Sequence, residues 1–249
     1  MNSIAIKDNF NANKVMQWHS GDTEENWKRC RSRFGSDWYY YDKDIEYKFN
    51  RLGYRSPDNV ADKFFLAYGC SHTMGVGLHV DDTYCELLSK DLNLSYLNFG
   101  MPGSGQNLLW ANNVLWNKNS DLVPKFVILQ WPEVERLTTW TDNRFNFFLP
   151  NHAGDKYTSK HEQRMFHNML ASEDYMDMQA HMYFESTNLL WQQRGIPVVN
   201  FTLSAKVGNL FDIHCFKGWT ADETLAARDL LHPGVTHNKA FADFIKDQL

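Results

Sequence analysis

From Phe64 onward, short apolar runs alternate with longer stretches whose apolar residues recur at three and four positions, the pattern of strands joined by crossover helices. The runs "FFLAYG" (64–69), "LSYLNFG" (94–100), "KFVILQW" (125–131) and "IPVVNFTL" (196–203) predict strands, and "LFDIHC" (210–215) is a candidate fifth. Between them, "DTYCELLSKDL" places Tyr84, Leu87, Leu88 and Leu92 on one helical face, and "GQNLLWANNVLWNK" is bounded by glycines before and Pro124 beyond. The closing segment "GVTHNKAFADFIKDQL" puts Ala240, Phe241, Phe244 and Ile245 on one stripe, which predicts a final helix packed on the sheet.

Strand and helix in this alternation predict an α/β fold, a flavodoxin-like three-layer sandwich with a mostly parallel central sheet, whose ligands bind beyond the carboxyl ends of the strands. Two regions break the rhythm. Residues 1–60 are polar and then aromatic, and "WYYYDKDIEYKFNRLGYRSPDN" predicts a strand or hairpin ending in a turn at Gly53, so these residues are expected to form an arm or side layer packed on a main domain of 61–249. Residues 132–194 are expected to be an insertion that begins irregularly and runs as helix from about His161 to Arg194, where neither proline nor glycine occurs before Arg194.

Composition narrows the function classes. A chain of 249 residues with 43% hydrophobic and 22% charged residues can bury a sizeable core, and no apolar run approaches the roughly 18 residues of a membrane span. A formal charge of −5 disfavours a nucleic-acid surface, and the short basic stretch "KRCRSR" at 28–33 is read as solvated. The N-terminal segment lacks the basic and apolar blocks of a secretory signal, so a cytoplasmic location is the expectation. Cys30, Cys70, Cys85 and Cys215 show no CxxC pairing and are read as reduced thiols.

The candidate chemistry lies in "YGCSHTMGVG" (68–77), where Ser71 follows the first strand. A serine hydroxyl is a weak nucleophile at neutral pH and needs a histidine base, itself fixed by a third group. "RDLLHPG" supplies one: Asp229 stands three residues before His232, so one turn of chain can bring the carboxylate to Nδ1. Taken alone, Ser71 would more often cap a helix. His72 is not the expected base, because neighbours on such a turn point apart.

"GCSHT" after the first strand, "NFGMPG" after the second and "DLLH" near the end together resemble the sequence blocks of the SGNH (GDSL) hydrolase family, in the family's order, over about residues 62–249. The resemblance implies a Ser71, His232 and Asp229 triad, with the oxyanion held by the amides of Ser71 and Gly103, the glycine five residues after Asn98. It implies an esterase without metal or organic cofactor, acting on a small-molecule or carbohydrate ester such as an O-acetyl group. The alternative is a carbohydrate-binding or structural module of the same fold with weak or no turnover.

Two blocks depart from the family. Cys70 stands where the first block has aspartate, and "QWPE" (130–133) replaces the third block's GxND, leaving Pro132 where an asparagine would donate to the oxyanion. Gln106, Asn107, Gln130 and the Trp131 indole are candidate replacements, with Asn107 favoured because it shares a turn with Gly103. Trp131, His72 and Gln130 are candidate substrate contacts.

The remaining signals read as follows. "HEQRMFH" (161–167) spaces its histidines six apart, not four, and is rejected as a zinc site. Trp131, Trp140, Phe145, Phe147 and Phe148 fit either core packing or a flat substrate wall. "NRLGYRS" (50–56) is read as a tight turn at Gly53 with Arg55 solvated, although it resembles a stretch preceding the first block in some carbohydrate-active members of the family. An α/β-hydrolase is disfavoured because Thr73 stands where its GxSxG elbow needs glycine.

Overall fold

The computed structural model describes residues 3–19, 21–141, 144–148, 164, 172–217 and 222–249. In chain order the elements are β1 (Val15–Met16), α1 (Glu24–Phe34), β2 (Tyr47–Lys48), β3 (Phe64–Gly69), α2 (Ser71–Met74), α3 (Tyr84–Leu92), β4 (Ser95–Gly100), α4 (Gln106–Asn119) and β5 (Val127–Trp131). They continue with β6 (Leu137–Thr141), β7 (Arg144–Phe148), α5 (Glu173–Gln192), β8 (Val198–Thr202), α6 (Ala205–Phe211), β9 (His214–Cys215) and α7 (Val235–Asp247).

The central sheet runs β4-β3-β5-β8-β9, and every neighbouring pair is parallel. Numbered among themselves, these strands follow the order 2-1-3-4-5, the flavodoxin-like arrangement, with its switch point between β3 and β5. The expected fold class is therefore the one observed. On β3, Phe64, Leu66 and Tyr68 join one apolar cluster with Leu108 and Trp116 of α4 and Trp191 of α5. Phe65 and Ala67 point the other way, into a second cluster with Leu88 of α3 and Phe241 and Ile245 of α7. Both faces are covered, so "FFLAYG" carries no polar alternation.

Three regions differ from the sequence reading. The fifth strand is only His214–Cys215, because Leu210 and Phe211 close α6, which ends at Asp212 in the left-handed region (φ 51°). The insertion opens with an antiparallel hairpin, β6 and β7, instead of irregular chain, and its helix is described as Glu173–Gln192. Of the rest of the expected helix, residues 161–171, with "HEQRMFH", lie outside the described residues apart from Arg164, Ser172 caps the helix, and Gln193 and Arg194 form the turn that follows it.

In the first 60 residues, only Tyr47–Lys48 of the expected hairpin is strand, paired with Val15–Met16, although Gly53 does turn at φ 86°. The stretch "KRCRSR" is not simply solvated: it lies in α1, which starts at a Thr23 cap, ends at Gly35 and buries Cys30. Trp38, Tyr40, Ile45 and Tyr47 form a third cluster with Met74, Val76 and Leu78 after α2 and Ala227 near the chain's end. No described helix is long and apolar enough to cross a membrane.

Candidate active site

Ser71 opens α2 at the carboxyl end of β3, and the turn carrying it is held from three sides. Gln130, at the end of β5, accepts on Oε1 from Cys70 N–H (3.0 Å), Cys70 Sγ (3.1 Å) and Thr73 Oγ1 (3.3 Å). Tyr84 OH donates to Thr73 Oγ1 at 3.1 Å. Asn98 of β4 donates to Thr73 O (2.6 Å) and accepts from Gly100 N–H (2.8 Å). Gly100 is needed for this approach, since a Cβ there would lie 2.4 Å from Met74 N. The "GCSHT" and "NFGMPG" blocks are thus bonded to each other.

Ser71 Oγ donates to Cys70 Sγ at 3.9 Å and makes no hydrogen bond to His232. Burial pushes the Cys70 and Cys215 thiols above the ordinary range, the wrong direction for a thiolate nucleophile.

The loop after a single 3₁₀ turn, Glu223–Leu225, presents the second half of the candidate site. His232 Nδ1 meets Asp229 Oδ2 at 2.5 Å, and Oδ1 accepts from the backbone N–H of Leu231 (3.0 Å) and His232 (3.2 Å). Ala227 N–H closes the loop on His232 O at 2.8 Å. Leu230 takes φ 60°, a left-handed conformation costing a leucine about 1–3 kcal/mol, which persists only where the surroundings enforce it. With Nδ1 engaged by Asp229, Nε2 is the nitrogen left to take a proton.

The imidazole reaches the serine turn through His72, whose ring stands 5.3 Å from that of His232, centroid to centroid, at 61°. His72 is buried, and burial, with the nearby His232 and Arg136, holds its pKa well below the ordinary histidine value. It is neutral in the folded protein at neutral pH and packs edge-on against the candidate base.

The N–H groups of Ser71 and Gly103, the two expected to hold an oxyanion, donate to no group among the described residues. Gly103 sits at φ 75° in a turn tied to the end of β3 by Met101 N–H and Ser104 Oγ, both donating to Gly69 O (3.1 and 3.2 Å). Each side chain expected to replace the third-block asparagine donates a hydrogen bond elsewhere, the indole its single N–H and the amides one of their two. Gln106 Nε2 donates to Pro132 O (2.8 Å), Asn107 Nδ2 to Thr138 O (2.6 Å), Gln130 Nε2 to Trp131 O (3.3 Å) and Trp131 Nε1 to Asn200 Oδ1 (2.8 Å). Asn107 also accepts from Thr138 N–H at 3.0 Å, so its amide closes on a strand of the hairpin as a backbone unit would.

Of the substrate-contact candidates, Trp131 is 0% exposed and packs on Phe184 and Phe211 in the core, and Gln130 is buried as the clamp described above. The aromatic surface near the site comes from the hairpin instead. Phe147 lies against Gly103, 3.3 Å from where a Cβ would stand, Phe145 stacks on Phe147, and Trp140 is 40% exposed.

The first 60 residues also reach the surroundings of the serine turn. Arg55 is not solvated: it is 5% exposed and donates to Gly75 O (2.7 Å), Leu78 O (3.0 Å) and Glu46 O (2.9 Å). The carbonyl of Gly75, which caps α2 and lacks a helical partner, takes this guanidinium instead. Asp22, Asn26 and Tyr47 flank the Asp229 loop; no local pattern marks them. A cavity of about 550 Å³ is lined by Asn26, Arg29, Arg33, Glu223, Asp229 and Leu231, and Ser71 is not among its lining residues. Among the described residues, no cluster of three or more His, Cys, Asp or Glu side chains is placed to hold a metal ion.

No protein family's sequence profile matches this chain, and no curated protein matches it in sequence. Solved structures do resemble it. The psychrotrophic esterase EstA from Pseudoalteromonas sp. is 11% identical over 74% of this chain and 95% of that one, with a TM-score of 0.43. A carbohydrate esterase whose active site displays divergent catalytic and non-catalytic binding functions is 11% identical over 76% of this chain and 65% of that one, at 0.48. AlinE4, an SGNH-hydrolase family esterase, is 16% identical over 62% of this chain and 69% of that one, at 0.38. The fold assignment rests on the strand order, and the solved structures similar to this chain include esterases, one of them of the SGNH-hydrolase family.

Proposed function

We propose that this chain is a serine hydrolase of the SGNH type acting on a small ester, with Ser71 as nucleophile, His232 as base and Asp229 as its orienting partner. The observation that carries the reading is the Asp229–His232 pair, which fixes the imidazole through Nδ1 beside the turn that bears Ser71. Ser71 Oγ turns from Cys70 Sγ to Nε2, gives up its proton there and attacks the ester carbonyl. The C–O bond to the alcohol breaks as His232 returns the proton to the leaving oxygen. Water then enters by the same route in reverse and releases the acid, and Asp229 stabilises the imidazolium in both steps. The amides of Ser71 and Gly103 face the oxyanion.

O-acetyl groups on carbohydrate are the proposed substrates, supported by the aromatic ring of Phe147 against the Gly103 turn, with Phe145 stacked on it. The Trp131 indole is spent on Asn200, and the Gln106, Asn107 and Gln130 amides each hold one of their two N–H donors to a backbone carbonyl, which supports an oxyanion held by two amides where three donors are usual. One missing donor lowers turnover by roughly 10²–10³. The same observation supports the second reading, a binding module of this fold with little or no turnover.

A fluorophosphonate probe tests the proposal. Labelling of the wild type that disappears in Ser71→Ala is expected. An unlabelled wild type that binds acetylated sugars establishes the binding module instead.

A further inference from the structure

We propose that Asp22 and Asn26 of the N-terminal arm are positioning residues for Asp229 and His232, holding their loop in register with the Ser71 turn. The inference rests on the functional reading above and identifies what keeps the two halves of that site together.

Asp22 is 1% exposed and forms a bidentate ion pair with Arg228, itself 2% exposed: Nε to Oδ1 at 2.8 Å and Nη2 to Oδ2 at 2.7 Å. Arg228 immediately precedes Asp229. Its guanidinium also donates to Gln17 O (3.1 Å) and lies over the Trp18 ring at 4.3 Å, so the arm surrounds it. Tyr47 OH donates to Asp22 Oδ2 (2.5 Å) and accepts from Gly77 N–H (2.8 Å), while Arg228 N–H donates to Gly77 O (3.0 Å). Gly77 belongs to the loop that continues from α2. Asp22 therefore reaches the residue before Asp229 directly and the serine-bearing segment through one tyrosine.

Asn26, on α1, binds the other side. Its Nδ2 donates to Asp229 O at 3.0 Å, so the arm brackets the residue whose carboxylate orients His232. The bracket falls where the loop needs restraint, because Leu230 next to it is held at positive φ. Stability alone does not account for this arrangement. A buried ion pair gains little over apolar packing of the same volume, whereas its fixed hydrogen-bond directions set a register.

The experiment uses the full chain. Asp22→Asn and Asn26→Ala are compared with the wild type by circular dichroism, fluorophosphonate labelling, kcat and KM on a nitrophenyl acetate, and the downfield NMR signal of the His232 Nδ1 proton, assigned with His232→Gln. The expected result is a retained fold with kcat lowered about tenfold or more, KM within about twofold, and the downfield signal weakened or lost. Wild-type kcat with an unchanged signal in folded variants overturns the proposal. If Asp22→Asn does not fold, Asn26→Ala on the half-buried helix face decides by the same two readouts. A wild type inert to probe and ester refutes the functional reading instead, and the NMR signal then decides the positioning role alone.

Discussion

Gln130→Met tests whether the clamp under the serine turn is what keeps it in place. Methionine fills nearly the same volume, so the change removes hydrogen bonds without opening a cavity. The buried Cys70 N–H loses its acceptor, at about 1–3 kcal/mol for an unpaired amide away from water. Thr73 keeps the bond it receives from Tyr84 but loses its own acceptor, at about 0.5–1.5 kcal/mol, and the weak Cys70 S–H bond adds little. The sum is a loss of about 1.5–4.5 kcal/mol. For a chain of this length that lowers the melting temperature by about 3–18 °C. Urea unfolding gives the free energy and fluorophosphonate labelling follows the serine, which should react more slowly as its turn loosens. A coupling of about 0.5–1.5 kcal/mol with Thr73→Val is expected from the shared bond. Stability within about 0.5 kcal/mol of wild type, with unchanged labelling, would refute the clamp.

His72 and Asn107 give two further tests. Because burial keeps His72 neutral, the unfolded chain takes up a proton below about pH 6.5 that the folded protein refuses, so stability falls on acidification by about 1.4 kcal/mol per pH unit until the folded group also protonates. His72→Gln should reduce the loss between pH 6.5 and 5 by up to about 2 kcal/mol in urea titrations, and an unchanged pH dependence would mean that His72 charges in the folded state. Asn107→Ala breaks both bonds to Thr138 and should cost about 1–3 kcal/mol in thermal or urea unfolding. Wild-type stability with turnover reduced about tenfold would instead make Asn107 the missing oxyanion donor.

What could be read in the sequence was local. "FFLAYG" announced a strand covered on both faces because no charged or alternating polar residue interrupts it, and the order of such runs carried the fold class. The Asp229–His232 spacing announced a contact that one loop makes by itself. The caps of α1, Thr23 and Gly35, were also present in the sequence, but the aromatic run after them drew the reading toward a hairpin. Arg55 looked solvated because nothing near it in sequence shows the three carbonyls it reaches in space.

The sequence by itself determined the alternating strands and helices, the serine turn at a strand end and the histidine–carboxylate pair, since each follows from side-chain periodicity or from groups within one turn of chain. Only the tertiary structure decided which polar groups near the site are already engaged. Asn107 answers to Thr138, Trp131 to Asn200 and Asp22 to Arg228, the last across 206 positions. A buried donor or acceptor must find a partner wherever packing puts one. That choice depends on how distant segments meet, and no local pattern contains it.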